Sequence, residues 1–313
     1  MTTASEKEEK PRAAEKEHKH EHSSEQISGS KLIGVTFLNA AITVIEIIGG
    51  LLSGSLSLLS DAVHNLSDTL SIVLSYAAWK IAGRKKNSRK TYGYKRAEIL
   101  AAFINATSLI VISAFLIFEA VKRLMHPEPI HGTLMIAVAA FGLAANLISV
   151  FLLEKDSHGN LNIRSSFLHL MGDTISSVAV VFGGLAIKYL EWNWIDPVAT
   201  AAIALYIGYE SFKIVKRTVD ILMQSSADLD YPAMQQDIES FPEVKGVHHV
   251  HTWHANENTI FMEAHIDVED TLVSKVNDLI ERIGHLLHEK YDISHVTLQF
   301  EADRCEEKTF FKV

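Results

Sequence analysis

Six apolar runs separated by polar joints fill the first two-thirds of the chain, at residues 32–52, 56–79, 99–124, 133–153, 167–190 and 195–214. A helix rises 1.5 Å per residue, so about 20 residues cross the roughly 30 Å hydrocarbon core of a bilayer. Each run is long enough to span, which predicts an all-α, six-helix transmembrane domain over residues 31–217. An even number of spans leaves both ends of the chain on one side. From Ser225 onward the pattern changes to that of a soluble α+β domain. Residues 231–240 read as a helix, 246–254 and 259–268 as strands joined by a turn at Asn256 and Asn258, and 294–301 as a third strand. Between the last two strands, residues 271–290 carry Val276, Leu279, Ile280, Ile283, Leu286 and Leu287 at helical spacing, the mark of an amphipathic helix. The order αββαβ is one strand short of a ferredoxin-like (metallochaperone-like) unit. It places a small domain at residues 218–303, with 304–313 as a tail. A domain of roughly 80 residues has a marginal core, so pairing with a second copy would stabilise it.

Composition supports membrane spans with soluble parts attached. The 313 residues are 48% hydrophobic and 21% charged, with a mean hydropathy of +0.12. Charge collects at the ends and in one joint, where Lys80, Arg84, Lys85, Lys86, Arg89, Lys90, Lys95 and Arg96 lie between the second and third runs. Lys213, Lys216 and Arg217 leave the sixth run on the same side, and the opposite side offers mainly Lys122, Arg123 and Lys188. The positive-inside bias therefore puts both termini in the cytoplasm. A net charge of −9 argues against a nucleic-acid partner. The lone Cys305 excludes an internal disulfide and fits a reducing compartment. Residues 1–30 are rich in Glu, Lys and Ser with little to bury, so they are expected to be disordered, and they show no cleavable signal peptide. His18, His20 and His22 in that stretch offer mobile imidazoles for metal capture.

The candidate chemistry sits inside the apolar runs. In the second run Asp61, His64, Asn65 and Asp68 fall within one helical arc of roughly 100°. In the fifth, His169 and Asp173 repeat the His-x-x-x-Asp spacing of His64 and Asp68, which sets imidazole and carboxylate one turn apart on one face. One such pair reads equally well as a buried packing couple. Two pairs facing each other give two nitrogens and two oxygens, a set suited to zinc. An aspartate at the centre of a membrane helix costs roughly 2.5–3.5 kcal/mol on insertion scales. A bound divalent cation would offset that cost for Asp61, Asp68 and Asp173. Asn39, Thr43, Glu46 and Gly50 add a polar stripe in the first run, and Asn105, Asn146, Ser176, Ser177 and Glu210 mark an interior seam that helix packing explains. A membrane metalloenzyme would keep a coordination position open beside a general base, and no His-Glu-x-x-His stretch is present. A membrane-anchored sensor or receptor would need no ligands at the bilayer midplane.

The soluble part is dense in histidine, with His248, His249, His251, His254, His265, His285, His288 and His295. Strand alternation sends His249, His251 and Trp253 to one face and His248, Val250 and His254 to the other. A metal site there is expected to gather single residues from several strands rather than adjacent ones.

With these residues in view, the chain resembles the cation diffusion facilitator family over residues 32–301. The resemblance is carried by Ser57-Leu-Leu-Ser-Asp61-Ala-Val-His64 through Asp68, by Tyr92-Gly-Tyr-Lys-Arg96-Ala-Glu98, and by Asn160-Leu-Asn-Ile-Arg164 leading to His169 and Asp173. Asp196-Pro197, Gly246-Val-His248-His-Val-His251-Thr-Trp253 and His295-Val-Thr-Leu-Gln299-Phe-Glu301 extend it. It is most similar to the bacterial zinc, cadmium and cobalt resistance exporters and the related animal zinc transporters. The resemblance implies a homodimer in the bacterial inner membrane that is not an enzyme. It implies export of divalent metal from the cytoplasm against protons by alternating access. The family's transport ligands map onto His64, Asp68, His169 and Asp173, with two histidines favouring zinc. Its cytoplasmic metal site, which would hold a bound zinc, maps onto His248 and His265, with Glu301 as third ligand. Some members carry a further site between the second and third spans. Residues 83–94 contain no His or Asp, so that site is expected to be absent, and the joint between the fourth and fifth spans is short, with only His158.

Overall fold

The computed structural model describes residues 14–157, 161–302, 304 and 309–311; the side chains of residues 14–33 and 155–166, and with them His18, His20, His22 and His158, lie outside the described set, as does Cys305. The elements follow the order α1 (Ala14–Ser53), α2 (Leu56–Ala82), α3 (Arg96–Met125), α4 (Gly132–Ser157), α5 (Leu161–Leu190), α6 (Ile195–Leu222), α7 (Tyr231–Glu239), β1 (Val244–Asn256), β2 (Thr259–Val268), α8 (Val273–Tyr291) and β3 (Ile293–Glu301). α1 begins at Ala14, inside the stretch expected to carry no structure. Glu, Lys and Ala are good helix formers, and a helix already nucleated in the apolar run extends through them at little cost. It ends where Gly54 turns left-handed, with φ 74°, and donates its N–H to the Gly50 carbonyl at 2.9 Å.

Among the described residues five stretches are long and apolar enough to cross a membrane: Gly34–Ser53, Arg96–Met125, Gly132–Glu154, Phe167–Leu190 and Ile195–Leu222. Six were expected. The missing one is α2, a helix of 27 residues whose apolar run is interrupted by Asp61, His64, Asn65 and Asp68. The polar face that makes α2 chemically interesting also lowers its hydropathy. Large apolar side chains on the other helices stand exposed, Phe115 at 62%, Phe151 at 68% and Phe182 at 67%, an arrangement that water does not tolerate and lipid does. The protein is a multi-pass integral membrane protein.

The chain divides into two compact units, one of Met1–Leu70 with Val111–Gly208 and one of Ser71–Ile110 with Tyr209–Val313. In the first, Leu58, Met135, Val138, Ala139, Val180 and Ile187 form a buried cluster. α4 and α5 approach closely at Gly184, where an added Cβ would stand 2.8 Å from Cγ1 of Ile136. In the second, the sheet order is β1-β2-β3, with β1 antiparallel to β2 and β2 parallel to β3. Met234 and Ile238 of α7 and Leu279, Ile283 and Leu287 of α8 cover the sheet with buried side chains, together with Val247, Val250, Met262 and Ile266 from the strands. Asp237 of α7 accepts hydrogen bonds from Lys290 and Tyr291 of α8. The Lys290 ammonium, then the Tyr291 hydroxyl, hold its carboxyl below the usual range. The αββαβ order of a small α+β domain is as expected.

Candidate functional site

In the first unit α2 contributes His64 and Asp68, and α5 contributes His169 and Asp173, each pair one helical turn apart. Their polar atoms converge on one point. Asp68 Oδ2 lies 2.9 Å from His169 Nε2 and 3.7 Å from His64 Nε2. Asp173 Oδ1 lies 3.4 Å from His64 Nε2, and its Oδ2 lies 3.7 Å from His169 Nε2. Zinc held at roughly 2.0–2.1 Å by four tetrahedral ligands sets those ligands about 3.3 Å apart. One ligating atom each from His64, Asp68 and His169 lies within 4.8 Å of the others, a spacing a zinc-sized cation can draw together, and Asp173 stands beside them with one oxygen toward each histidine. Asp173 is 4% exposed, and its Oδ2 makes no hydrogen bond, a costly state for a carboxylate oxygen unless a cation faces it.

Two more buried carboxylates flank this cluster. Glu46, 1% exposed, accepts a hydrogen bond from Asn65 Nδ2 at 2.9 Å. Its Oε1 packs against Gly142, where an added Cβ would stand 2.6 Å away and push the carboxylate aside. Asp61, 3% exposed, accepts from Ser176 Oγ at 3.2 Å. A third, Asp196, is fully buried at the start of α6. It accepts from Ser55 Oγ at 2.6 Å, Leu56 N at 2.8 Å, Ser57 N at 3.1 Å and Ser57 Oγ at 2.6 Å. Asp196 thus caps the first turn of α2 from another helix, meeting backbone donors that the helix itself leaves unpaired.

A second cluster lies in the α+β domain. His248 and His265 are cross-strand partners on β1 and β2. Glu301, at the end of β3, places Oε1 3.1 Å from His265 Nδ1 and Oε2 3.5 Å from His248 Nε2. The three residues expected to act together are therefore brought together. His249 joins them, its Nδ1 3.3 Å from His265 Nδ1, against the alternation that sends neighbours to opposite faces. The reason is a register shift in β1 between His248 and His251, where His249 takes a left-handed φ of 52°. A bulge inserts an extra residue and re-aims its side chain. The only warning in the sequence is the His248-His249 doublet itself. Gln299 donates to Glu301 Oε1 at 2.5 Å, so it orients the carboxylate. His295 packs on Phe261, with ring centroids 5.1 Å apart. His248 is 1% exposed, and neither of its ring nitrogens makes a hydrogen bond. The donor set of three imidazoles and a carboxylate suits zinc and would relieve that unmet need.

Residues 32–223 match the family model described as the cation efflux transmembrane domain. Residues 227–303 match that of the cation efflux protein, cytoplasmic domain. The chain is similar to the zinc transporter ZitB of Pectobacterium atrosepticum, 36% identical over 293 residues that cover 93% of this chain and 90% of the relative. It is 33% identical to the cadmium, cobalt and zinc/H(+)-K(+) antiporter of Bacillus subtilis, over 90% of this chain and 92% of the relative. The metal cation efflux system protein CzcD of Cupriavidus metallidurans is 32% identical, over 93% and 91% respectively.

Proposed function

The chain belongs to the cation efflux family, the cation diffusion facilitators, in the branch of zinc, cadmium and cobalt exporters, and from that premise we propose that it carries zinc out of the cytoplasm in exchange for protons. The convergence of His64, Asp68 and His169, with Asp173 reaching both histidines, is the observation that carries this reading. These four residues are the transport ligands. Two imidazoles and two carboxylates satisfy a borderline-soft cation better than a hard one, which favours zinc over magnesium or calcium. In this reading α2 is a sixth span, tolerated in the bilayer because its polar face looks inward on the cargo and on α5. Both termini are then cytoplasmic. His169 is 46% exposed and Asp68 26%, against 4% for Asp173. Asp68 stands one turn nearer than His64 to the α2 end that leads into the basic joint, so in this reading the more open side of the cluster faces the cytoplasm.

An imidazole binds metal only through an unprotonated nitrogen and a carboxylate only as an anion, so metal and proton compete for the same atoms. Facing the cytoplasm the cluster releases protons and takes zinc; facing an acidic exterior it takes protons and releases zinc. Alternation between the two facing states couples the flows, since each state differs in what it binds. The cytoplasmic domain, residues 218–303, pairs with its counterpart in a homodimer and holds a resident zinc on His248, His249 and His265, with Glu301 completing the set from beside His248 and His265. Its parallel β2–β3 pairing is what a ferredoxin-like sheet becomes without its first strand.

The test is zinc flux in proteoliposomes with the voltage clamped and a pH gradient imposed or collapsed. An acidic trans side should accelerate zinc movement, and proton movement in the opposite sense should accompany it. Flux indifferent to the gradient, with no pH change, would replace proton exchange by facilitated diffusion or exchange for another cation such as potassium. Binding without any flux would leave a membrane-anchored metal receptor.

A further inference from the structure

The left-handed turn at His249 has a second support besides the β1–β2 ladder. β1 is an edge strand of the sheet, and at the bulge its outward backbone donors would face solvent. They are met instead by residues close to the end of the chain. His249 N–H donates to the Thr309 carbonyl at 3.2 Å and Val250 N–H to the Phe310 carbonyl at 2.8 Å. The segment is fastened by aromatic contacts. The ring of Tyr231, at the start of α7, meets Phe310 edge-on at 6.2 Å and Phe311 at 4.9 Å, and Phe310 packs against the domain core. Tyr231 is itself fixed by its hydroxyl, which donates to the Ala227 carbonyl at 2.6 Å.

A histidine at φ 52° sits in the left-handed region, which non-glycine residues visit uncommonly, Asn, Asp and His more than the rest. It stays there only when its surroundings over-determine it. We propose that residues 309–311 are a positioning element of the cytoplasmic metal cluster: docked on the edge of β1, they hold the bulge that aims His249 at His265, His248 and Glu301. The segment reaches the cluster through the backbone of one ligand, His249. Linkage makes the effect reciprocal, so metal on the cluster tightens the docking of the segment by the same factor that docking tightens the metal. The proposal rests on the reading of this cluster as a zinc site.

The experiment uses the full-length protein in detergent carrying His64→Ala, so that cobalt(II) titration followed by visible absorption reports the cytoplasmic cluster. Ending the chain after Lys308 should weaken cobalt binding roughly 10–100-fold, the range known for outer-shell supports of metal ligands. The visible band should also weaken and shift as a nitrogen ligand is lost. Phe310→Ala should move both readouts the same way, and Phe310→Leu, which keeps an apolar anchor, should restore them. In the complete chain, zinc should slow hydrogen exchange at the His249 and Val250 amides. His248→Ala separates the two claims. If it leaves the titration unchanged, the cluster is not the metal site and the proposal falls with it. If His248→Ala abolishes binding while the shortened chain keeps full affinity and an unaltered band, the cluster stands and the positioning role is overturned. Should the shortened chain aggregate, the Phe310→Ala and Phe310→Leu pair decides on the same criteria.

Discussion

Asp68 is the residue on which both histidines converge, with Oδ2 2.9 Å from His169 and 3.7 Å from His64. No neighbour on a fixed helix face can replace it. His64→Ala or Asp68→Ala should lower zinc flux at least about 100-fold, beyond the roughly 10–100-fold cost of losing an outer-shell partner. Dimer assembly, read by size-exclusion light scattering, should be unchanged, because neither side chain belongs to the cytoplasmic core. Near-normal flux in a well-expressed Asp68→Ala protein would remove this cluster from the mechanism. In the α+β domain a different residue, His254, is expected to contribute acid sensitivity. Burial, and after it the positive charge of Arg217, hold His254 below the ordinary imidazole range, and its Nδ1 is buried without a hydrogen bond. The unfolded chain titrates there near about 6.5 and so binds more protons than the folded chain between that value and the lowered one. Stability from this residue is complete above the unfolded value and is lost as pH falls below it. Thermal unfolding of the metal-free protein, followed by tryptophan fluorescence, should therefore drop between about pH 7 and about pH 5.5 by less in His254→Gln than in the parent. Equal drops would assign the acid sensitivity elsewhere.

At the scale of elements, the helix that carries the proposed ligands His64 and Asp68 is held by a group outside the cluster. Asp196 meets two backbone amides and two serine hydroxyls at the start of α2, the helix that bears Asp61, His64 and Asp68. Asp196→Asn should cost about 0.5–2 kcal/mol, the range for a lost helix cap. It should appear as a lower melting temperature in detergent together with reduced zinc flux. An unchanged melting temperature would show the cap to be dispensable. On β1 the periodicity argument separates His248 from His249, and the bulge reunites them. Alternation is a property of a regular ladder, and one extra residue on one strand is enough to break it. α2 shows the opposite relation, where one polar face both suggests a metal-binding role for the helix and keeps it from reading as a simple span.

Across the whole chain, the end segments invite different experiments. Deleting residues 1–30 removes His18, His20 and His22. It should raise the zinc concentration for half-maximal flux modestly while leaving maximal flux intact, as expected of a tether that raises local metal concentration. Complete loss of flux would make that stretch part of the route. The apolar runs, the two His-x-x-x-Asp pairs and the αββαβ order were legible in the chain itself, because each is set by periodicity over a few turns or strands. Which atoms meet is another matter. His169 and Asp68 are 101 positions apart, Asp196 and Ser55 141, and His248 reaches Glu301 only through the pairing of all three strands. Local patterns place each side chain on a face of its own element, but only the packing of elements decides which faces close on one another. The cluster at Asp68, the cap at Asp196 and the turned histidine at His249 therefore belong to the tertiary structure.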